Sequence, residues 1–277
     1  MTHTSGLPPY APVSELQEKY GSPNPKGLME YISTCKREFK PQTKFQYSCL
    51  NYITLQHIIE TITGHSLRDF AKENIFDILG MQYTDYLPTI QQQDGKWINT
   101  VACPWMDWIA PTEKQKDGSV LCGQVHDPLA RILNGGISGN AGIFSNANDI
   151  GILAAALLNG GEYNGHRILS PLGVKTMCTV PRELTAFGRT PGWDIFSPYA
   201  SNKGDLFSPN TFGHTGYTGT SIIIDPDNDT AVILLVNAVH PEDRHSIVRL
   251  RSLVANAVAA SICPPAQVYT DHYYKRF

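Results

Sequence analysis

The chain has 277 residues, 42% of them apolar and 17% charged, with a formal charge of −3 at pH 7. That length accommodates one large domain or two ordinary ones, and that charge provides no field to recruit nucleic acid or an anionic membrane surface. The longest apolar stretches, 150–158 and 231–236, fall short of the roughly 18 residues that mark a transmembrane helix, so a membrane span is excluded.

Pro, Gly and Ser crowd the first thirty residues, which predicts loop with helix starting later. From Leu50 onward Tyr52, Leu55, Ile59 and Ile62 recur at helical spacing and Gly64 supplies the stop. A second helix is predicted from Leu67 to Ile78, ending before Gly80-Met81. Residues 88–142 carry many polar, Gly and Pro positions and read as a long, partly ordered excursion of the kind that walls a pocket. Asp149 to Leu158 reads as a largely buried helix with an Asn or Asp start and the glycine stop Gly160-Gly161. Ser170 to Thr179 reads as a short helix, and Glu183 to Asp194 as a lead into a strand near Gly192-Trp193.

The clearest element is a hairpin: Thr218 to Asp225, the turn Pro226-Asp227-Asn228-Asp229, then Thr230 to Asn237. Its second strand, Ala231 to Val236, is apolar on both faces, the pattern of a strand inside a covered sheet. Such a strand calls for a neighbour on each side, yet Pro241 to Ile262 reads as helix, with Ile247, Leu250, Val254 and Val258 on one face. The second neighbour is therefore expected from sequence upstream of Met1. An unfilled position there would leave an open apolar edge, favouring self-association.

Just before the hairpin stands Gly213-His214-Thr215-Gly216-Tyr217-Thr218-Gly219-Thr220-Ser221, a strand edge whose glycines let the backbone approach a ligand closely. The six cysteines, Cys35, Cys49, Cys103, Cys122, Cys178 and Cys263, have no repeated spacing and read as free thiols. Cys122-x-x-x-His126 lacks the second pair a zinc site requires, so neither a metal nor a cofactor is expected. The residues after Met1 lack the basic and then apolar run of a signal segment.

Several segments together resemble the serine β-lactamase and penicillin-binding-protein superfamily: Thr2-His3-Thr4-Ser5-Gly6-Leu7-Pro8, Phe45-Gln46-Tyr47-Ser48, Leu79-Gly80-Met81 with Thr84, and His214-Thr215-Gly216. Pro111-Thr112-Glu113, Val125-His126-Asp127 and Gly139-Asn140-Ala141-Gly142-Ile143-Phe144-Ser145 resemble a branch with exo-acting N-acetylmuramoyl-L-alanine amidases, some fused behind a β-N-acetylglucosaminidase. The resemblance implies an α/β (α+β) fold, an antiparallel sheet flanked by helices plus a helical subdomain, with the opening helix and two strands missing. It treats 1–277 as one partial hydrolase domain, 1–180 mostly helix and loop and 181–277 sheet and last helix. The implied activity is hydrolysis of a muropeptide amide, with a D-alanyl carboxypeptidase, a β-lactamase, an esterase or a non-catalytic muropeptide-binding relic as alternatives. The implied partners are a small muropeptide or β-lactam-like substrate, an upstream glycosidase domain or a second copy, outside the cytoplasm.

Acyl transfer through a serine ester needs a nucleophile, a base, an oxyanion hole and a clamp for the substrate's anionic end. By resemblance Tyr47 is the proton-relaying tyrosine, and His214 stands where many relatives carry lysine. Thr215 bonds a substrate carboxylate, with Gly216 and the Tyr217 backbone N–H beside it. Cys49 occupies a position where relatives have Asn or Asp, so a weak thiol donor replaces a substrate-handling side chain. His126 and Asp127 line the pocket or scaffold its loop. The family's Ser-x-x-Lys has no room before residue 2. Ser33-Thr34-Cys35-Lys36 is the chain's one such pattern, but it follows the His-Thr-Ser-Gly-Leu segment and is not expected to serve. The isolated chain is accordingly expected to be inactive.

Overall fold

A three-stranded antiparallel sheet, ordered β7 (Phe212–Thr215), β8 (Ser221–Asp225) and β9 (Thr230–Leu234), forms the rigid back of the molecule in the computed structural model, which describes residues 1–198, 203–243 and 246–262. Its register pairs His214 with Ile222 and Thr215 with Ser221, then Ile222 with Ile233 and Ile224 with Ala231. Period-two alternation sends Phe212, Ile222 and Ile224 to one face, where they pack on Ala154 and Leu157 of helix α6 (Ala147–Leu158). Ile223 and Val232 point to the other face and meet Ala255 and Val258 of helix α8 (Val248–Ser261). Both faces are therefore covered, as the all-apolar β9 sequence requires. Among the described residues β9 has a strand partner on one side only.

The opening of the chain corrects the loop expectation. Helices α1 (Val13–Tyr20) and α2 (Pro25–Thr34) form within and just after the first thirty residues. Asn24 caps α2 by accepting from the Gly27 N–H, and Pro25 sits at the first helical position, where its missing N–H costs nothing. Proline, which reads as a loop signal in this stretch, is at Pro25 a helix-start signal. Leu16, Leu28 and Ile32 then close a core with Leu50 and Ile53 of α3 (Cys49–Thr63) and with Leu129 and Leu133. Each such side chain contributes about 1.5–3 kcal/mol by leaving water.

Gly64 ends α3 in the left-handed region at φ 72°, as its position after the last periodic residue predicts. The next helix is one continuous rod in three parts, α4 (Leu67–Ala71), a π-helical turn (Lys72–Phe76) and α5 (Asp77–Leu79), stopped by Gly80. Short pairs complete the excursion: β1 (Asp85–Tyr86) pairs with β4 (Ile143–Phe144), and β2 (Thr89–Gln91) with β3 (Trp97–Asn99). Strands β5 (Glu162–Tyr163) and β6 (His166–Arg167) form a further hairpin, and Ser170 caps α7 (Pro171–Met177). The strand expected near Gly192-Trp193 is reduced to two bridges, Arg189 to Asp194 and Asp194 to Gly213, because Pro191 and Gly192 turn the chain between Arg189 and Asp194. Cys35, Cys49, Cys103, Cys122 and Cys178 are free thiols, while Cys263 lies outside the described residues. No described helix is long and apolar enough to cross a membrane.

Candidate active site

One wall of the cleft is built where residues 3–9 lie against residues 42–49. Gln46 N–H donates to the His3 carbonyl (2.9 Å) and Cys49 N–H to the Pro9 carbonyl (3.0 Å). Ser48, fully buried, donates its hydroxyl to the Pro8 carbonyl at 2.5 Å. His3 turns into this seam from a left-handed backbone at φ 56°. Its Nδ1 accepts from the Ser48 N–H (3.1 Å), and its ring stacks on Tyr47 with centroids 4.2 Å apart. Burial first, then the Arg189 charge, lowers the His3 pKa to about 3, so the ring is neutral and its proton sits on Nε2. That Nε2 is buried without a hydrogen-bond partner.

The opposite wall is β7, the free margin of the sheet. Gly213 is required there because a Cβ would come within 2.4 Å of the Ile222 carbonyl oxygen. Gly216 likewise lies against Thr220, whose Oγ1 would be 2.3 Å from an added Cβ. Arg251 of α8 steadies this tip by donating to the Gly216 and Thr220 carbonyls. His214 and Tyr47 face each other across the cleft with ring centroids 6.1 Å apart. Behind them stands Arg189, only 1% exposed, whose guanidinium carbon is 5.5 Å from the Tyr47 ring centroid. Its Nη1 donates to Asp194 Oδ2 (2.8 Å) and its Nη2 to His214 Nε2 (2.6 Å). Asp194 is itself held by the Ser197 N–H and hydroxyl, and by reciprocal backbone bonds to Gly213.

The third side is the long excursion. Asp127 accepts from Tyr10 Oη (2.9 Å) and from the Ala130 N–H (2.7 Å), capping the π-helical turn Leu129–Leu133, so it is a loop organiser as well as a wall residue. Asn140 reaches Asp127 from the other direction at 3.5 Å. Cys49, at the head of α3, is pushed up to about 11 by burial and then by the Asp127 charge, which keeps it a thiol. A thiol so protonated is a poor nucleophile. His126 stacks on Tyr217 (centroids 5.6 Å), and its Nε2 lies 3.2 Å from Glu113 Oε2 without the alignment of a hydrogen bond. Tyr217, 73% exposed, donates its hydroxyl to Asp243. The excursion is thus tied to the tip of β7.

Sequence reasoning named Tyr47, Cys49, His126, Asp127, His214, Thr215, Gly216 and Tyr217, and these fall on three walls around one cleft. It did not single out Arg189, Asp194 or His3. His3 lay inside a quoted segment, whereas Arg189 and Asp194 sit in a Gly/Pro-rich stretch with no periodicity. The Ser33 pattern stands outside the cleft: α2 ends at Thr34, and Ser33 is exposed with its hydroxyl donating to the Glu30 carbonyl (2.8 Å). Lys36 is also exposed, past the helix end, so serine and lysine do not share a helical face.

The β-lactamase family model matches residues 1–256. A protein of Escherichia coli strain K12 named "Putative D-alanyl-D-alanine carboxypeptidase" is 33% identical over 254 residues, covering 86% of this chain and 56% of that protein. A Salmonella gallinarum protein of the same name is 32% identical over the same shares. The chain therefore spans about half the length of the curated relatives it matches. Among solved structures, a β-lactamase from Mycobacterium bovis superposes with a TM-score of 0.58 at 18% identity, covering 94% of this chain and 72% of that one. A penicillin-binding protein from Bacillus halodurans gives 0.56 at 16% identity, with 93% and 70% covered. These structural likenesses bear on the fold, which is β-lactamase/transpeptidase-like. With the family match extending over most of its length and about a third of the aligned residues identical in those relatives, the chain belongs to the β-lactamase-related family of serine hydrolases.

Proposed function

We propose that the cleft binds the end of a cell-wall peptide, its terminal carboxylate at Thr215, and that the Ser33-x-x-Lys36 pattern does not supply the nucleophile that cleaving the adjoining amide requires. The observation that carries this reading is the buried guanidinium of Arg189, held 5.5 Å from the Tyr47 ring and hydrogen-bonded to His214, the residue before Thr215. Asp194 offsets part of that charge on the Nη1 side, and the Nη2 side, turned to His214, leaves the remaining attraction for an anion directed at the cleft. The chemistry of the two candidate bonds then discriminates between them. In a D-alanyl-D-alanine terminus the free carboxylate lies one residue from the scissile amide. In N-acetylmuramoyl-L-alanine peptides the alanine carboxyl is itself in an amide, so no charge falls at that distance. The fixed cation favours the D-alanyl terminus, in keeping with the name the relatives carry, over the muramoyl amide that the sequence resemblance implies.

Titration of the isotope-labelled protein with diacetyl-L-lysyl-D-alanyl-D-alanine and, separately, with an amide-capped N-acetylmuramoyl-L-alanine tests the reading by NMR. Shift changes at Thr215, Gly216 and Tyr47 are expected with the first ligand and not with the second. The reverse preference reinstates the amidase reading, and no response to either removes the peptide-binding reading. Intact-mass and peptide-mapping mass spectrometry after incubation with penicillin or a fluorophosphonate is expected to find no adduct on Ser33. A covalent adduct on Ser33 would overturn the statement about the nucleophile.

A further inference from the structure

The geometry points to Arg189 as a positioning residue that locks His214 as the neutral Nδ1–H tautomer with its second nitrogen occupied, so that His214 aligns Thr215 and takes no proton from a substrate. Two contacts impose that tautomer independently. An arginine nitrogen in a protein only donates, so the 2.6 Å contact from Arg189 Nη2 makes His214 Nε2 the acceptor. A carbonyl oxygen only accepts, so the 2.9 Å contact to the Thr215 carbonyl puts the proton on His214 Nδ1. The ring is left with no vacant lone pair. A general base must present one to its proton donor.

The lock is built into the fold. Arg189 reaches His214 from a segment laid beside β7 by the Arg189–Asp194 and Asp194–Gly213 bridges. Asp194 accepts from Arg189 on Oδ2 and from the Ser197 backbone on Oδ1, so a guanidinium that swung away would leave a buried carboxylate without its countercharge. The groups facing His214 are Arg189 and Asp194 from that segment, the Thr215 carbonyl from its own strand, and His3 with Tyr47 from the opposite wall. Burial first and the Arg189 charge second lower its pKa to about 4, and the hydrogen bond to the Thr215 carbonyl, then the Asp194 charge, oppose them only in part. The histidine thus stays neutral across the physiological range, with the guanidinium between it and Asp194. The Met1 α-amino group, whose pKa is lowered by burial and then by the Arg189 charge, is the neighbouring cation that titrates, so a pH dependence of carboxylate binding in this range belongs to it and not to His214.

Histidine-labelled protein decides the assignment by NMR of the ring nitrogens. The full chain is expected to give the Nδ1–H pattern for His214, with a titration midpoint below 5. The Nε2–H pattern, or a midpoint near 6.5, would overturn it. Arg189→Lys keeps a cation on Asp194 but loses the second prong. It is expected to raise the midpoint by about one pH unit, and Arg189→Met to raise it further. An unchanged midpoint in a folded variant, judged by the amide shifts of β8 and β9, would also overturn the lock, and the wild-type tautomer decides it if neither variant folds. The role in aligning Thr215 rests on the cleft being a carboxylate site, whereas the tautomer does not. On the N-terminally acetylated chain, which lacks the Met1 amine, binding of diacetyl-L-lysyl-D-alanyl-D-alanine measured from pH 5.5 to 8 is expected to be flat. In Arg189→Met on the same background it is expected to weaken at least threefold toward pH 8. An affinity of the acetylated wild type that falls toward pH 8 as the variant's does would overturn the role. Failure of the peptide to bind beside a correct tautomer would remove the functional reading and leave the lock standing.

Discussion

His3 and His214 stand on opposite walls of one cleft, both neutral and both close to Tyr47, yet they carry their protons on opposite nitrogens. In His3 a backbone N–H occupies Nδ1 and the proton is left on a buried Nε2 with no partner. In His214 a carbonyl fixes the proton on Nδ1 and an arginine occupies Nε2. Both rings are kept neutral by burial first and by the Arg189 charge second, but the seam of backbone hydrogen bonds holds the first in place, whereas the guanidinium itself holds the second. One wall therefore depends on chain packing and the other on a charge network, so different changes should break them.

Acid should break both, with the largest effect. Each ring has a folded pKa below the ordinary 6.5, about 3 for His3 and about 4 for His214, so the unfolded chain takes up these protons first. Stability from the pair is complete above about pH 6.5 and is lost as pH falls toward the folded values. At pH 5 each ring costs about 2 kcal/mol, or about 4 kcal/mol together. Urea midpoints measured between pH 7.5 and 4.5 check this, and a flat profile would mean that neither ring is held neutral by the fold. Removing the network's anion comes next. Asp194→Ala leaves the Arg189 charge buried with one partner gone and is expected to cost about 3–5 kcal/mol, read from the same midpoint at pH 7. The packing wall should be the less sensitive of the two: His3→Ala orphans the Ser48 N–H and empties the space beneath Tyr47, at a cost of about 2–3 kcal/mol. If His3→Ala proved costlier than Asp194→Ala, the contrast between the walls would be reversed.

What the sequence disclosed follows the same division. Regular elements with strong local signals were legible: Gly64 and Gly80 as helix stops, a short helix from Ser170, and the strand β9, apolar on both faces and covered by α6 and α8. Pro25 was a local signal with two meanings, and burial of Leu28 and Ile32 selected the helical one. Tyr47 and His214 could be picked out because their neighbours form motifs. Arg189 and Asp194 could not, since their role comes from a bridge to Gly213 made across a turn that has no period and hardly any regular structure. A network of long-range hydrogen bonds leaves no spacing in the chain to be read.

The smallest expected effect separates two serines. Ser48 lies in the seam of the His3 wall with its hydroxyl donating to Pro8, and Ser48→Ala leaves that carbonyl unpaired inside the protein, at a cost of about 1–2 kcal/mol. Ser33 bonds only the Glu30 carbonyl one turn back, on an exposed helix end where water can replace it. Ser33→Ala should therefore move stability by no more than about 0.5 kcal/mol, and pairing it with Lys36→Ala should add nothing, because the two side chains share neither a helical face nor a partner. A double variant that lost more than the sum of the singles in urea denaturation would tie Ser33 to Lys36 and bring the one Ser-x-x-Lys pattern of this chain back into consideration for the cleft.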